Sequence, residues 1–293
     1  MKKAFLFRKL ENKKVQCLNC NHKCILNNNS IGLCGVRKNI DGILYNLIYN
    51  KIISESIDPI EKKPLYHFLP NTKTYSISCV GCNFKCPWCQ NFEISQILKK
   101  GFLIGKPRKK EDIIKNALKH NCTSISYTYT EPTVWSEFIY EVSLFAKKNN
   151  LKNIWVTNGY FSKECLNYFT KKGLIDAMNI DLKSFNEKTY KEYCNADLKK
   201  VISSIEEAYL NRIHIEITTL IIPGVNDNLK EMDKLSKFIF TLDKKGEIPW
   251  HISRFFPAYK MVNKSITSIK ILEKIKEIGI KNKLKYIYIG NVF

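Results

Sequence analysis

From residue 72 onward the chain alternates between two hydrophobic periods. In TKTYSISC, TSISYTY, NIWVT, AMNIDL, HIEITTLII, WHISRF and KYIYIG the apolar residues alternate or run together as in strands. In EDIIKNALKH, VWSEFIYEVSLFAKK, KECLNYFTKK, LKKVISSIEEAYLN, NLKEMDKLSKFIFTL and SIKILEKIKEIG they recur every three or four positions, as on one face of a helix. A further short helix is expected from Phe92 to Lys99. Strands and helices taking turns predict an α/β fold with parallel strands joined by right-handed crossovers. Either a doubly wound sheet or a partial β/α barrel satisfies the pattern, and in both the chemistry sits at the C-terminal strand ends.

Upstream, LYNLIYNKIISES alternates well enough for a strand or two, and DPIEKKPLYHFLP, with its three prolines, reads as an irregular connection. The expected division is a small cysteine-rich segment over 1–70 and a core over 71–293. No internal repeat or low-complexity linker interrupts either part.

Composition changes this picture in two places. The 44% hydrophobic and 26% charged residues are ordinary for a folded protein. No apolar run approaches the roughly 18 residues of a membrane span, and MKKAFLFRKLENKK lacks the apolar core of a secretory signal. A cytoplasmic location is therefore expected, with no membrane partner. The formal charge of +21 raises the question of nucleic acid. The lysine pairs, such as Lys109–Lys110, Lys147–Lys148 and Lys199–Lys200, are scattered and fall near helix ends and turns. A solvated surface, or one meeting an acidic redox partner, explains them as simply, so nucleic acid is disfavoured.

The eleven cysteines are more informative. Cys17, Cys20, Cys24 and Cys34 form one group, and Cys79, Cys82, Cys86 and Cys89 another. In a chain expected to be cytoplasmic, such density points to metal before disulfides. Cys82-x3-Cys86-x2-Cys89 directly follows the first strand of the alternating region. Such a loop wraps three corners of a cubane with thiolates and leaves the fourth iron for an outside ligand. Cys79 would complete a ferredoxin-like or zinc set, but its place on the strand favours a packed core thiol. Cys17-x2-Cys20-x3-Cys24-x9-Cys34, with His22 inside it, suits zinc or an auxiliary iron–sulfur cluster. Zinc would fold a segment too small to build its own core.

The loop, followed by Gln90-Asn91, resembles the radical S-adenosylmethionine (SAM) superfamily, in particular the activating enzymes of glycyl-radical proteins of the pyruvate formate-lyase type. Longer phrases resemble the radical SAM member of the AmmeMemoRadiSam system: DPIEKKPLYHFLP, GCNFKCPWCQNFEISQ, YTYTEPT, VTNGY, NIDLKSF, EITTLIIPGVND and WHISRFFPAYKM. They span about Cys17 to Val292. The resemblance implies a partial barrel with a 4Fe-4S cluster on Cys82, Cys86 and Cys89, and SAM chelating the open iron. It further implies reductive cleavage of SAM, a hydrogen atom taken from an unknown substrate, and a flavodoxin or ferredoxin as electron donor.

Glu131, in YTYTEPT, stands where the superfamily carries a Gly-Gly-Glu element that contacts the methionyl amino group, although the glycines are absent here. The alternative is a helix-start acid ahead of VWSEF, helped by Pro132. Thr157 and Asn158, with Gly159, suit a ribose or carboxylate, or else a plain strand-ending turn. The aspartate that often precedes this Thr-Asn-Gly in the activating enzymes is Val156 here, which weakens a cation site built on it. Asp181 and Lys183 share one strand face, for SAM or for each other. His251 and Arg254 close a later strand and face adenine, substrate or mere packing. Family members continue past a Gly-Asn-Val element into another cysteine pair, so the ending Gly290-Asn291-Val292-Phe293 predicts a less covered barrel mouth. Two other readings remain at this point, a glycyl-radical enzyme activase and a zinc-dependent nucleic-acid-binding protein.

Overall fold

Alternating inward and outward residues build each strand of an eight-stranded sheet, seen in a computed structural model that describes residues 1–96 and 104–292. The strands are β1 (Ser54–Pro59), β2 (Lys73–Ser78), β3 (Cys122–Tyr127), β4 (Lys152–Thr157), β5 (Ala177–Asp181), β6 (His214–Ile221), β7 (Trp250–Arg254) and β8 (Ile287–Gly290). Between them lie helices α1 (Lys110–Lys119), α2 (Ser136–Lys148), α3 (Lys163–Thr170), α4 (Leu198–Leu210), α5 (Leu229–Leu242) and α6 (Ile269–Lys281). The helix expected from Phe92 covers Phe92–Ser95; its remaining positions 97–99 lie outside the described residues.

The helices form where the 3.6 period and the caps agree. In α4, Leu198, Val201, Ser204, Ile205 and Ala208 make the buried stripe, and the Asp197 carboxylate accepts the Lys199 N–H at its start. The Ser162 hydroxyl caps α3 on the Cys165 N–H, and Asn228 caps α5 on the N–H groups of Lys230 and Glu231. Helix α6 approaches the sheet at Gly279, where a Cβ would stand 2.6 Å from Ile287 and 3.1 Å from Trp250.

Strand order decides between the two architectures. Neighbours in the sheet follow chain order from β1 to β8, antiparallel for β1 with β2 and parallel thereafter. A doubly wound sheet reverses its order at a switch point. Here the order never reverses, so right-handed crossovers put the helices on one side and the sheet curls around the other. No pairing joins β8 to β1 among the described residues, so the barrel is partial.

The proline-rich connection after β1 runs inside this curl. Ile60, Leu65, Phe68 and Leu69 cluster with Ile154 and Val156 of β4 and Ala177 of β5. Asn179 donates its side-chain amide to the Pro64 carbonyl at 2.7 Å. The Glu216 carboxylate accepts the N–H groups of Tyr66 (3.0 Å) and His67 (2.8 Å). These partners alternate along their strands onto the concave face, so residues 60–69 form a floor for the barrel.

The first fifty residues make two small antiparallel sheets, Phe7–Lys9 with Val15–Cys17 and Ile25–Leu26, and Lys2–Lys3 with Arg37–Ile40 and Ile43–Asn46. A buried ion pair fixes them to the barrel. Arg37 grips both Glu137 oxygens, at 2.9 and 2.7 Å, and Asn46 adds a donor at 2.7 Å. Asn19 donates to the Thr133 carbonyl and accepts from the Ser136 hydroxyl. Removing one partner of a pair this buried costs about 3–5 kcal/mol. Among the described residues no helix is long and apolar enough to cross a membrane.

Candidate functional site

The loop that leaves β2 carries Cys82, Cys86 and Cys89 over the C-terminal ends of the parallel strands. Each sulfur has its own support. Cys82 Sγ accepts the Phe84 N–H at 3.4 Å and the Asn158 amide at 3.8 Å. Cys89 Sγ lies 3.2 Å from the Ser95 hydroxyl, on the helical turn that follows the loop. Cys86 Sγ lies 3.8 Å from Cys194 Sγ. Burial raises the Cys82 and Cys89 thiol pKa values, and for Cys86 the contact with Cys194 adds to burial and is the larger cause. Buried thiols of this kind keep their protons until a metal supplies positive charge.

Three thiols on one short loop are the donor set that an iron–sulfur cluster takes. No three His, Cys, Asp or Glu side chains converge on a single ion among the described residues. Next to Cys82, the buried Asn83 Nδ2 has no acceptor, which leaves a donor for a group rich in acceptors. The residues fit the cluster.

Glu131 is fully buried at the end of β3 and caps the 3-10 turn Pro132–Trp135. Its carboxylate accepts the Thr133 N–H (3.0 Å), the Thr157 hydroxyl (2.8 Å) and the Asn158 N–H (2.9 Å). Burial raises its pKa against these bonds. The helix-start role and a brace to the β4 end are thus both present. Asn158 in turn donates to Asn83 Oδ1 at 2.8 Å, so Glu131, Thr157 and Asn158 form one chain of contacts ending at the cysteine loop. Gly159, at φ +71°, makes the turn, and a Cβ there would meet Ile180 at 2.8 Å.

Asp181 and Lys183 are joined at 2.8 Å. Burial opposes the Lys183 charge, but Asp181 and the Cys86 and Cys194 sulfurs outweigh it and raise its pKa. This pair is therefore close enough to Cys86 for their charges to act on one another. His251 sits apart. Its Nε2 lies 2.6 Å from Glu216, and its ring meets Tyr66 edge-on and stacks on Tyr288. Arg254 is turned to the Thr267 carbonyl at 2.7 Å. Cys79, one residue past β2, is buried beside Thr130, and burial raises its thiol pKa.

The second group, Cys17, Cys20, Cys24 and Cys34, lines one cavity together with His22, Arg37 and Asn83. Sequence reasoning passed over Asn83, Cys194, Arg37 and Glu216. Only Glu216 left a signal, a lone acid on an apolar strand.

The model of the radical SAM superfamily matches residues 76–238. An uncharacterized protein of Methanocaldococcus jannaschii, MJ0808, is 43% identical over 293 residues, covering 100% of this chain and 86% of its own length. A putative glycyl-radical enzyme activating enzyme of the same organism, MJ1632, is 26% identical over 225 residues, covering 72% of this chain and 76% of its own. Among solved structures, a radical SAM methyltransferase from Sphaerobacter thermophilus superposes with a TM-score of 0.57 at 13% identity, over 76% of this chain and 67% of that one. At that identity the likeness is one of fold.

Proposed function

The chain belongs to the radical SAM superfamily, enzymes that bind an iron–sulfur cluster and SAM, and from that premise we propose that it cleaves SAM reductively and takes a hydrogen atom from its substrate. The observation that carries this reading is the supported three-thiol loop, with Cys82 held by Phe84 and Asn158 and Cys89 held by Ser95. Cys82, Cys86 and Cys89 would hold the 4Fe-4S cluster. That cluster would supply the single electron that splits SAM into methionine and a hydrogen-abstracting deoxyadenosyl group, and a flavodoxin- or ferredoxin-type donor would replace the electron.

The protein's own residues position and sort charge. Glu131 holds Thr157 and Asn158 against the loop, and its carboxylate is the partner for the methionyl ammonium. Asp181 and Lys183 bring opposite charges beside Cys86, which suits the zwitterionic methionyl end. His251, its Nε2 engaged by Glu216 and its ring packed against Tyr66 and Tyr288, would back the adenine or substrate side of the barrel from the floor rather than touch the ligand. Of the segment expected over residues 1–70, the part before Ser54 is read as metal-binding, holding zinc or a second cluster on Cys17, Cys20, Cys24 and Cys34, since residues 60–69 form the barrel floor. Residues 71–293 are read as the core, with Ser54–Pro59 lending it an edge strand.

The phrases from DPIEKKPLYHFLP to WHISRFFPAYKM support the finer placement in the AmmeMemoRadiSam system. A second reading, activation of a glycyl-radical protein, draws on the similarity to the putative activating enzyme MJ1632. The test is anaerobic product analysis. With iron, sulfide and dithionite, the wild type should release methionine and 5′-deoxyadenosine in equal amounts, and Cys82→Ala should release neither. A fully loaded wild type that leaves SAM intact would overturn the proposal. Deoxyadenosine formed in step with a glycyl radical on an added protein would select the second reading.

A further inference from the structure

The three sulfurs of the loop are not supported alike. Cys82 Sγ takes backbone and side-chain N–H groups and Cys89 Sγ a hydroxyl, but the neighbour of Cys86 Sγ is another thiol, Cys194, at 3.8 Å. Cys194 lies 108 positions further along the chain, is fully buried and forms no disulfide. The function proposed above gives it no part.

Its place is set by the main chain. Asn186 caps a short helical turn on the Lys188 N–H, and the chain then widens into a π turn over Tyr190–Cys194. Asn195, at φ +54°, ends this turn in the left-handed region, and the Ala196 N–H closes back on the Tyr190 carbonyl at 3.1 Å. Single π turns recur at functional sites. Two bonds pin this one to its surroundings. The buried Tyr190 hydroxyl accepts the Lys183 N–H at 3.0 Å, and the Cys194 carbonyl accepts the Lys85 N–H at 3.3 Å. The second bond ties Cys194 to the residue just before Cys86, so backbone and side chain together hold the two sulfurs in contact.

Cys86 on iron is a thiolate, which only accepts hydrogen bonds, whereas a neutral thiol beside it has one S–H to give. The Lys183 ammonium is turned to Asp181 at 2.8 Å, which leaves Cys194 as the donor that the structure places at Cys86. A donor draws negative charge from a ligating sulfur and makes an added electron less costly. Hydrogen bonds to the sulfurs are among the levers that set a cluster's potential.

We propose that Cys194 is a positioning residue that donates its S–H to Cys86 and holds the reduction potential of the cluster up, without being a ligand itself. This rests on the function proposed above and adds a residue to it.

The test uses two matched pairs of variants. Serine and alanine differ little in volume, so Cys194→Ser and Cys194→Ala share any packing loss and differ in the donor. Cys194→Thr and Cys194→Val repeat the comparison at a larger volume, should the small pair not fold. Each protein is reconstituted anaerobically, its iron and sulfide are measured, and its EPR signal is followed over a series of poised potentials. All should keep about four irons and four sulfides on the loop. At the wild-type midpoint the reduced-to-oxidised ratio should fall about tenfold in Cys194→Ala, equivalent to 59 mV for one electron, and stay near the wild-type value in Cys194→Ser. Proton ENDOR before and after exchange into D2O should show an exchangeable coupling in wild type and Cys194→Ser that Cys194→Ala lacks. A wild-type potential in Cys194→Ala, or an equal fall in both members of a pair, would overturn the proposal. Iron lost from Cys194→Ser and Cys194→Ala alike would also overturn it, by making Cys194 a ligand. In these cases a wild-type signal that moves with SAM leaves the radical SAM reading standing, and a loaded wild type indifferent to SAM overturns that reading itself.

Discussion

The floor and the mouth of the barrel both bury carboxylates that protein donors saturate, Glu131 at the mouth among them, but the mouth adds thiols that nothing in the chain completes. At the floor the buried carboxylates are saturated by protein. Burial would raise the Glu216 pKa, but bonds from His214, His251, Tyr66 and His67 outweigh it and hold the group at about 2. Burial likewise works against Asp58, and Lys62, Lys63 and the Tyr129 hydroxyl overcome it, holding its carboxyl below the usual range. At the mouth the thiols of Cys82, Cys86 and Cys89 are pushed up instead, and Asn83 keeps an unpartnered donor. A region that completes its own hydrogen bonds is finished on folding. One that leaves them open is built to be completed by something else.

The sharpest way to break this contrast is at Glu216. Glu216→Gln turns an acceptor toward its backbone donors into a mixed amide, and should cost about 3–5 kcal/mol in denaturant unfolding. The sign with pH follows from the depressed pKa. The contribution of Glu216 is complete above its ordinary value of 4.5 and is lost as pH falls through about 2. The gap between wild type and variant should therefore shrink over that window, and a gap that stayed constant would mean the charge is not what stabilises the floor.

The mouth should respond to ligand where the floor does not. In the anaerobic, cluster-loaded protein, SAM at a hundredfold excess over its dissociation constant should raise stability by about 2.7 kcal/mol, read as a shift in thermal midpoint. No shift would remove the contrast. The smallest effect is expected at the hinge between the β4 end and the loop. Gly159→Ala, at φ +71° and with its Cβ 2.8 Å from Ile180, should cost about 1–3 kcal/mol. It should also weaken the SAM-dependent shift by displacing Asn158. A variant as stable and as responsive as wild type would show that this turn does not position the mouth.

Much of the frame was legible because it is local. The two periods located the strands and helices, and Cys82-x3-Cys86-x2-Cys89 marked the loop by spacing alone. The choice of partial barrel over doubly wound sheet needed strand order, which no local period encodes. DPIEKKPLYHFLP reads as a connection because its prolines prevent regular structure; that it forms the floor depends on Glu216, about 150 residues away in sequence. The sequence singles out Glu131, Asp181 and Lys183 as candidates, but not that Glu131 is engaged by Thr133, Thr157 and Asn158. The pairing of Cys86 with Cys194, and of Arg37 with Glu137, likewise joins positions about 100 residues apart.

The central claim is that Cys82, Cys86 and Cys89 hold a cluster that SAM touches. Low-temperature EPR of the reduced, reconstituted protein tests it most directly, recorded with and without SAM and repeated on Cys82→Ala. The account predicts a reduced-cluster signal whose g values move when SAM is added, and no SAM-responsive signal in the variant. A signal indifferent to SAM, or zinc alone on the Cys82 loop, would contradict it.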